Sequence, residues 1–506
     1  MRHWVQSFHQ LERKRIRDIL LVSSLFDFFL FEEEGLLYEK IQSEYHGLQL
    51  AHTPEFTRVS SGADALALLA GGARFDLIIT TLHIDDMTPL RLAREMRTRG
   101  IVTPIVLLAY DKRELTDLIT HRGATDFDRI FIWQGDFKLL IAIIKNLEDE
   151  LNVAEDTERF GVQVILVNED SVRYASFFLP LLYAEVMRHS QDLMAEGLNP
   201  AHKALRMRAR PKILLSTKWE EAMSCLEQHQ QHVIGVITDA GFERDGVHDA
   251  RAGIAFAREV KARFWDIPVL VQSTNPALAA EARRAKTMFV AKGSPTLVDD
   301  VRHVLRDYFG FGDFVFRLGD REIARAKDLK SLEEQLRVVD AESLRHHAER
   351  NDFSNWFKAR TEFELAERLR PRKVSDYASD EEMRADIIRQ LHEHRALRQR
   401  GLLTEFSAGT FDPASSFART GGGSVGGKAR GLAFLNTLLS MDDVRAKFAG
   451  LEIEVPPAIV VATDVFDQFL EVNALRTFAL GSWSDDEIMH RFIAAEHFPR
   501  DTVSRL

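Results

Sequence analysis

Glu169, Asp170, Asp239, Ser273 and Lys292 are the residues of this chain whose types and order could do chemistry together. Each closes or directly follows a short apolar run. The acidic pair ends "VQVILVNED" (162–170), Asp239 ends "HVIGVITDA" (232–240), Ser273 ends "IPVLVQST" (267–274) and Lys292 lies in "TMFVAKGS" (287–294). Three carboxylates brought to one place repel one another unless a cation sits among them. A hard divalent ion with oxygen ligands, Mg²⁺ before others, suits such a set. The Lys292 ammonium and the Ser273 hydroxyl would then take the oxygens of a phosphoryl group. Singly, an Asp or Ser at a strand end is an ordinary cap or turn former, so only the ordered set carries the reading.

A second stretch has the look of a phosphate cradle: "GGGSVGGKAR" (421–430), followed by apolar "GLAFLNTLLS". A P-loop requires Gly-x-x-x-x-Gly-Lys and then Ser or Thr. Gly422, Gly427 and Lys428 fit, but Ala429 stands where a hydroxyl must meet Mg²⁺. That loop also needs a strand directly before it, and "SAGTFDPASSFART" (407–420) reads as polar and turn-rich. On both counts the P-loop is rejected.

The elements that must position the first set alternate in kind. Between 160 and 310, five apolar runs (those above and "PKILLST", 211–217) are separated by helical patterns at 171–189, 219–230, 251–263, 277–285 and 296–309. Such alternation predicts a parallel sheet covered on both faces, with its chemistry beyond the carboxyl ends of the strands. The same skeleton precedes it in "RDILLVSS" (17–24), "FDLIITTL" (75–82), "TPIVLLA" (103–109) and "RIFIWQG" (129–135). There Ser23 and Ser24 replace the acidic pair, Thr81 replaces Asp239, Ala109 replaces Ser273, and Trp133 stands near the place of Lys292. Asp85 and Asp86 lie too far along to substitute. The helix expected at 137–152 is amphipathic, then acidic, and leads into the second copy. The basic segment 195–212 reads as a solvated loop.

Residues 160–310, on these five residues in these strand contexts, resemble a response-regulator receiver domain. The resemblance implies that Asp239 accepts a phosphoryl group from a histidine kinase or phosphotransfer protein. It implies that Glu169, Asp170 and Asp239 hold Mg²⁺, that Ser273 and Lys292 bind the phosphoryl oxygens, and that Phe289 is the switch aromatic. Residues 1–155 resemble a receiver unable to accept phosphate, whose expected role is docking or homodimerisation. A further resemblance lies in "SVGGKARGLAFL" (424–435) with "VPPAIVVATDVFDQFL" (455–470). These look like the start of the ATP-grasp-type nucleotide-binding domain of phosphoenolpyruvate synthases and pyruvate phosphate dikinases. It implies an ATP site built on Gly426, Gly427, Lys428 and Thr463; Ala458 and Arg430 depart from that family's pattern. The family's remaining ATP ligands and its phosphohistidine domain are not within these residues. The expectation is therefore a truncated enzyme, catalytically incomplete by itself.

The expected fold class is α/β, with two tandem flavodoxin-like (βα)5 receiver-type domains at 1–155 and 156–310. A hairpin plus charged helical connector follows at 311–405, in which His346 and His347 read as surface residues and Phe353, Trp356, Phe357 and Phe363 as one apolar stripe. An incomplete ATP-grasp-type α+β segment occupies 406–506. The net charge of −11 in 506 residues, with a sequence pI near 5.9, argues against a nucleic-acid partner. The single cysteine, Cys225, cannot make an internal disulfide and fits a reducing cytoplasm. "DILLVSSLFDFFLF" (18–31) is broken by Asp27, which excludes a signal or membrane segment. The expected function is a phosphorelay regulatory region controlling the attached ATP-binding segment. The alternative is a signalling adaptor that acts by binding another protein.

Overall fold

The computed structural model describes residues 11–31, 37–48, 52–110, 113, 115, 126–195, 205–319, 321–399, 404–406, 417–441, 455–481 and 484–499. The chain forms two compact units. One contains residues 1–192, 205–314 and 350–370; the other contains 193–204, 315–349 and 371–506.

The first unit holds two five-stranded parallel sheets. Strands β1 (Asp18–Val22), β2 (Glu55–Val59), β3 (Leu77–Thr81), β4 (Ile105–Ala109) and β5 (Arg129–Ile132) assemble in the order β2-β1-β3-β4-β5. Strands β6 (Val164–Asn168), β7 (Lys212–Ser216), β8 (Val233–Asp239), β11 (Val269–Ser273) and β12 (Met288–Ala291) assemble as β12-β11-β8-β6-β7. Read from its own first strand, each sheet has the flavodoxin-like order 2-1-3-4-5. The strands take this form because they are short β-branched and leucine runs buried on both faces; every residue of β3, β4 and β6 is buried. A two-stranded antiparallel hairpin, β9 (Phe242–Arg244) and β10 (Val247–Asp249), follows directly on β8.

One apolar cluster runs through both sheets. It takes Leu21, Ile79 and Leu108 from the first, Ile165, Val167 and Ile237 from the second, and residues of helices Lys138–Phe160 and Val172–Ala195. Helix Lys138–Phe160 is continuous through the junction and ends at Gly161, whose φ of 67° makes the left-handed cap. Its acids Glu148, Asp149 and Asp156 are buried, as are Arg206, Arg210 and Lys212. This corrects the expectation of a solvated basic loop for 205–212; residues 196–204 of that segment lie outside the described residues. Asp149 Oδ1 and Oδ2 accept from Arg210 at 2.8 and 3.0 Å, and Lys212 Nζ lies 3.0 Å from Glu12 Oε1 and 3.1 Å from Asp156 Oδ2. Burial alone would raise the Glu12 pKa. Lys212 and Arg210 outweigh it and hold the carboxyl well below its usual range.

In the second unit, β13 (Phe314–Leu318) and β14 (Arg321–Ala326) form the expected hairpin. Helices Leu329–Leu336, Ala341–Glu349 and Asp380–Gln399 follow, the first opened by an Asp328–Ser331 capping box. His347 is buried, with Nε2 accepting from the Arg317 amide at 2.9 Å, which corrects its reading as a surface residue. The aromatic stripe at 353–363 belongs to the first unit, where Phe353 stacks on Phe314 at 4.8 Å. Strands β15 (Thr404–Glu405), β16 (Phe417–Thr420) and β17 (Ala458–Val461) make a parallel sheet. β16 immediately precedes the glycine loop, so the absence of a strand is not a ground for rejecting a P-loop. Ala429 in the hydroxyl position remains one. Among the described residues no helix is long and apolar enough to cross a membrane.

Candidate phosphoryl-acceptor site

Parallel register brings the sequence-predicted residues to one edge. Asn168 pairs with Thr238, and Asp239 with Gln272, so the residues that end β6 and β8 leave the sheet side by side. One carboxylate oxygen each from Glu169, Asp170 and Asp239 lie within 4.8 Å of one another. Lys292, just past β12, sends its Nζ between two of them: 2.6 Å from Glu169 Oε2 and 2.6 Å from Asp239 Oδ2. The same Nζ stands 4.2 Å from the centroid of the Tyr174 ring.

Charge and burial shape what this cluster can do. With all three carboxylates ionised, the one ammonium would leave two negative charges uncompensated. Burial, reinforced by Asp239 and opposed by Lys292, pushes the Glu169 carboxyl up to about 8. Burial and repulsion from Asp239 also raise Asp170, against a lowering contribution from His248. The donor set is all oxygen, anionic and short of positive charge, which fits a hard divalent cation such as Mg²⁺.

Ser273 is buried at the end of β11, where its Oγ accepts from the Asn275 amide at 3.1 Å, so the hydroxyl is engaged in its own turn. Phe289 on β12 is half-buried against the core on the sheet face shared with Val269 and Val271. The close fit around Asp239 depends on Gly253. A Cβ there would stand 1.6 Å from the Asp239 carbonyl oxygen. Two residues escaped sequence reasoning: Tyr174, in the first turn of the following helix, and His248 on β10, whose Nδ1 lies 3.4 Å from Asp170 Oδ2. The Asp-Gly pair at 245–246 between "FER" and "VHD" was the available hairpin signal.

The equivalent edge of the first sheet is filled differently. Asp27 is buried; its Oδ2 accepts from the His83 amide at 3.3 Å and its backbone oxygen from the Tyr110 hydroxyl at 3.0 Å. Asp86 caps helix Gly62–Ala70 through the amides of Gly62 and Ala63 at 2.7 and 2.9 Å.

In the second unit, the glycine loop wraps the start of helix Thr463–Val472. The Gly422 amide donates to Asp464 Oδ2 at 2.7 Å, and Ser424 and Thr463 bond each other, N to Oγ1 at 3.0 Å and O to N at 2.8 Å. Amides of the loop are thus directed at the protein's own carboxylate. Gly426, with φ of 75°, opens helix Gly426–Met441, and Gly427 and Lys428 are exposed in its first turn. Thr463 is thereby placed at this loop as a packing partner of Ser424.

No protein-family model matches the chain, and no curated protein matches it. Among solved structures, the signal receiver domain of an HD domain-containing protein from Pseudomonas fluorescens Pf-5 is similar at 22% identity. That match covers 28% of this chain and 93% of that one, with a TM-score of 0.19. A putative two-component system response regulator/GGDEF domain protein is similar at 13% identity, covering 57% of this chain and 98% of that one at a TM-score of 0.25. A probable two-component system response regulator/GGDEF domain protein stands at 13% identity, 56% and 96% coverage, and a TM-score of 0.25.

Proposed function

We propose that residues 160–310 act as a phospho-acceptor in a phosphorelay, with Asp239 as the acceptor. The observation that carries this is Lys292 bridging Glu169 and Asp239 at 2.6 Å each, within a set of three carboxylates at the carboxyl edge of a parallel sheet. In the reaction an Asp239 oxygen attacks phosphorus. The bond from phosphorus to the donor's imidazole nitrogen breaks, the imidazole leaves with its electron pair, and an acyl phosphate remains. Glu169, Asp170 and Asp239 would hold Mg²⁺, which when bound neutralises charge between acceptor and phosphoryl group. Lys292 exchanges a carboxylate partner for a phosphoryl oxygen. Ser273, whose Oγ accepts in its turn, donates its hydroxyl proton to another, and Phe289 repacks as the strand end shifts. The resulting change in surface is the regulatory output. The first sheet, with Ser23, Ser24 and Thr81 at the corresponding places, serves as a docking or dimerising partner.

Residues 406–506 we read as part of an ATP-binding segment under this control, with Lys428 facing phosphate. The strand–glycine loop–helix order and the exposed Lys428 support that reading.

Incubation with a small acyl-phosphate donor and Mg²⁺, followed by intact-mass measurement, tests the acceptor. One phosphate is expected on the wild type and none on Asp239→Asn. An equal gain on both, or none on either, removes Asp239 from the role.

A further inference from the structure

We infer that His248 is a positioning residue for the cation site, holding the carboxylate of Asp170 in the orientation that a divalent ion needs. This rests on the reading of Glu169, Asp170 and Asp239 as ion ligands.

The β9–β10 hairpin is built to keep this histidine in place. Its turn residues Asp245 and Gly246 have φ of 52° and 76°, the left-handed pair that matches strand twist in a two-residue hairpin. Register pairs His248 with Glu243 and Asp249 with Phe242. Phe242 is fully buried in the second core cluster, which anchors the base of the first strand. Glu243 Oε1 lies 3.1 Å from Lys218 Nζ, the Arg244 guanidinium sits 4.3 Å from the Trp219 ring centroid, and the Asp245 amide donates to Glu220 Oε1 at 3.0 Å. One strand of the hairpin is thereby fastened to the start of helix Trp219–His229. At the other end a Cβ on Gly241 would stand 2.9 Å from the Ala250 Cα, so the two ends of the loop are in contact where it leaves and rejoins the acceptor strand.

His248 is itself exposed at the hairpin surface, and its Nδ1 reaches Asp170 Oδ2 at 3.4 Å. Its placement therefore comes from the hairpin rather than from burial of the ring. Asp170 needs such support. Glu169 is fixed by Lys292 and by the Ser171 amide at 3.1 Å, and Asp239 is fixed by Lys292. For Asp170, His248 is the basic side chain that stands within ion-pair distance among the described residues. A partner that orients a ligating carboxylate is worth roughly 10–100-fold in metal affinity. The exposure of this one puts the expectation at the low end.

Mn²⁺ alone, followed by electron paramagnetic resonance on the full chain, reads the site without any phosphoryl donor, and Mg²⁺ is read by competition. The wild type should bind one ion at a site lost in Asp239→Asn. His248→Ala should weaken binding by roughly tenfold. His248→Asn, whose amide nitrogen can occupy the place of Nδ1, should restore most of the loss. An unchanged affinity in His248→Ala, with an intact wild-type site, overturns the positioning role and leaves the acceptor reading standing. Equal weakening in His248→Ala and His248→Asn also overturns it, because the hairpin rather than the Nδ1 contact would then be responsible. A wild type that binds no ion sensitive to Asp239→Asn overturns the cation site beneath both.

Discussion

Asp149→Ala is the sharpest test of how the first unit is held together. The carboxylate is fully buried and accepts five close contacts: two from the Arg210 guanidinium, one each from the Tyr183 hydroxyl at 2.8 Å and the Ile213 amide at 2.9 Å, and Lys212 Nζ at 3.7 Å. Glu12, Asp149 and Asp156 against Arg210 and Lys212 give three negative charges to two positive. Removing one acid therefore does not leave excess positive charge overall. The cost lies in local donors. The guanidinium, the hydroxyl and a strand amide lose their acceptor where burial hinders replacement by bulk water. Breaking such a buried pair costs about 3–5 kcal/mol, and each orphaned donor about 1–3 kcal/mol in isolation. The first figure is used because the donors share one vacated volume. A loss of that size lowers the melting temperature on the order of 10 °C in a unit of this length. Urea denaturation with tryptophan fluorescence measures it. Asp149→Asn keeps one acceptor oxygen but turns an NH2 group towards the same donors, so it should recover less than half. A loss below about 1 kcal/mol for Asp149→Ala, the range of an exposed ion pair, would refute the reasoning.

Three further outcomes follow from particular contacts. Glu169 holds its proton up to about pH 8 in the folded state, above its ordinary value of 4.5, so between those values the folded form binds more protons than the unfolded. Stability without divalent ions should fall as pH rises through that window, and Glu169→Gln should flatten the dependence in urea midpoints from pH 5 to 8.5. Gly253→Ala would gain up to about 1 kcal/mol of helix propensity. The new methyl, built 1.6 Å from the Asp239 carbonyl oxygen, should turn this into a net loss of roughly 1–3 kcal/mol and slow phosphate uptake in the mass assay. Gln272 is fully buried beside Asp239 in register, and neither side-chain amide atom has a partner among the described residues. Gln272→Leu should leave stability unchanged or raise it by about 1 kcal/mol in the same denaturation experiment.

The parallel sheets were legible because their strands are buried on both faces, so apolar runs such as "KILLS" and "VILVN" carry the signal without any partner information. The acceptor set was legible for a related reason: strand ends fix where a residue stands, and Asp239 closes its strand while Glu169 and Lys292 each follow one directly. What escaped depends on chain segments far apart in sequence. His248 reaches Asp170 only through the β9–β10 hairpin, whose three-residue strands are too short to show a pattern in sequence. Strand β16 was hidden by its length, since "FART" is four residues bounded by polar sequence, and its pairing with β17 lies 41 positions away from Phe417 to Ala458. His347 was assigned to the surface because helical spacing separates it from His346; its actual partner, the Arg317 amide, is set by tertiary packing.

The acidic stretch of helix Lys138–Phe160 shows why a charge run cannot be read alone. Its acids look like a solvated face, and the basic run 206–212 looks like a solvated loop, yet the two are buried against each other. They meet because β5 and β7 are edge strands, and an open edge invites pairing with foreign strands. Here each edge is closed by the other half of the unit. The Ile213 amide donates to Asp149 and its carbonyl accepts from Asn146 Nδ2 at 2.9 Å; the Leu215 carbonyl accepts from Arg129 at 3.0 Å; the Ile132 amide donates to Ser176 Oγ at 2.8 Å. Side chains replace a β-ladder, so the sheets abut without merging into one. Severing the chain near residue 155 would therefore strip polar groups from both edges, part Arg210 from Asp149 and Lys212 from Glu12, and leave only Asp156 of the helix acids on the same piece as Lys212. The two sheets are separate in sequence pattern and a single unit in energy, and the charges that look most soluble in the sequence are among those that join them.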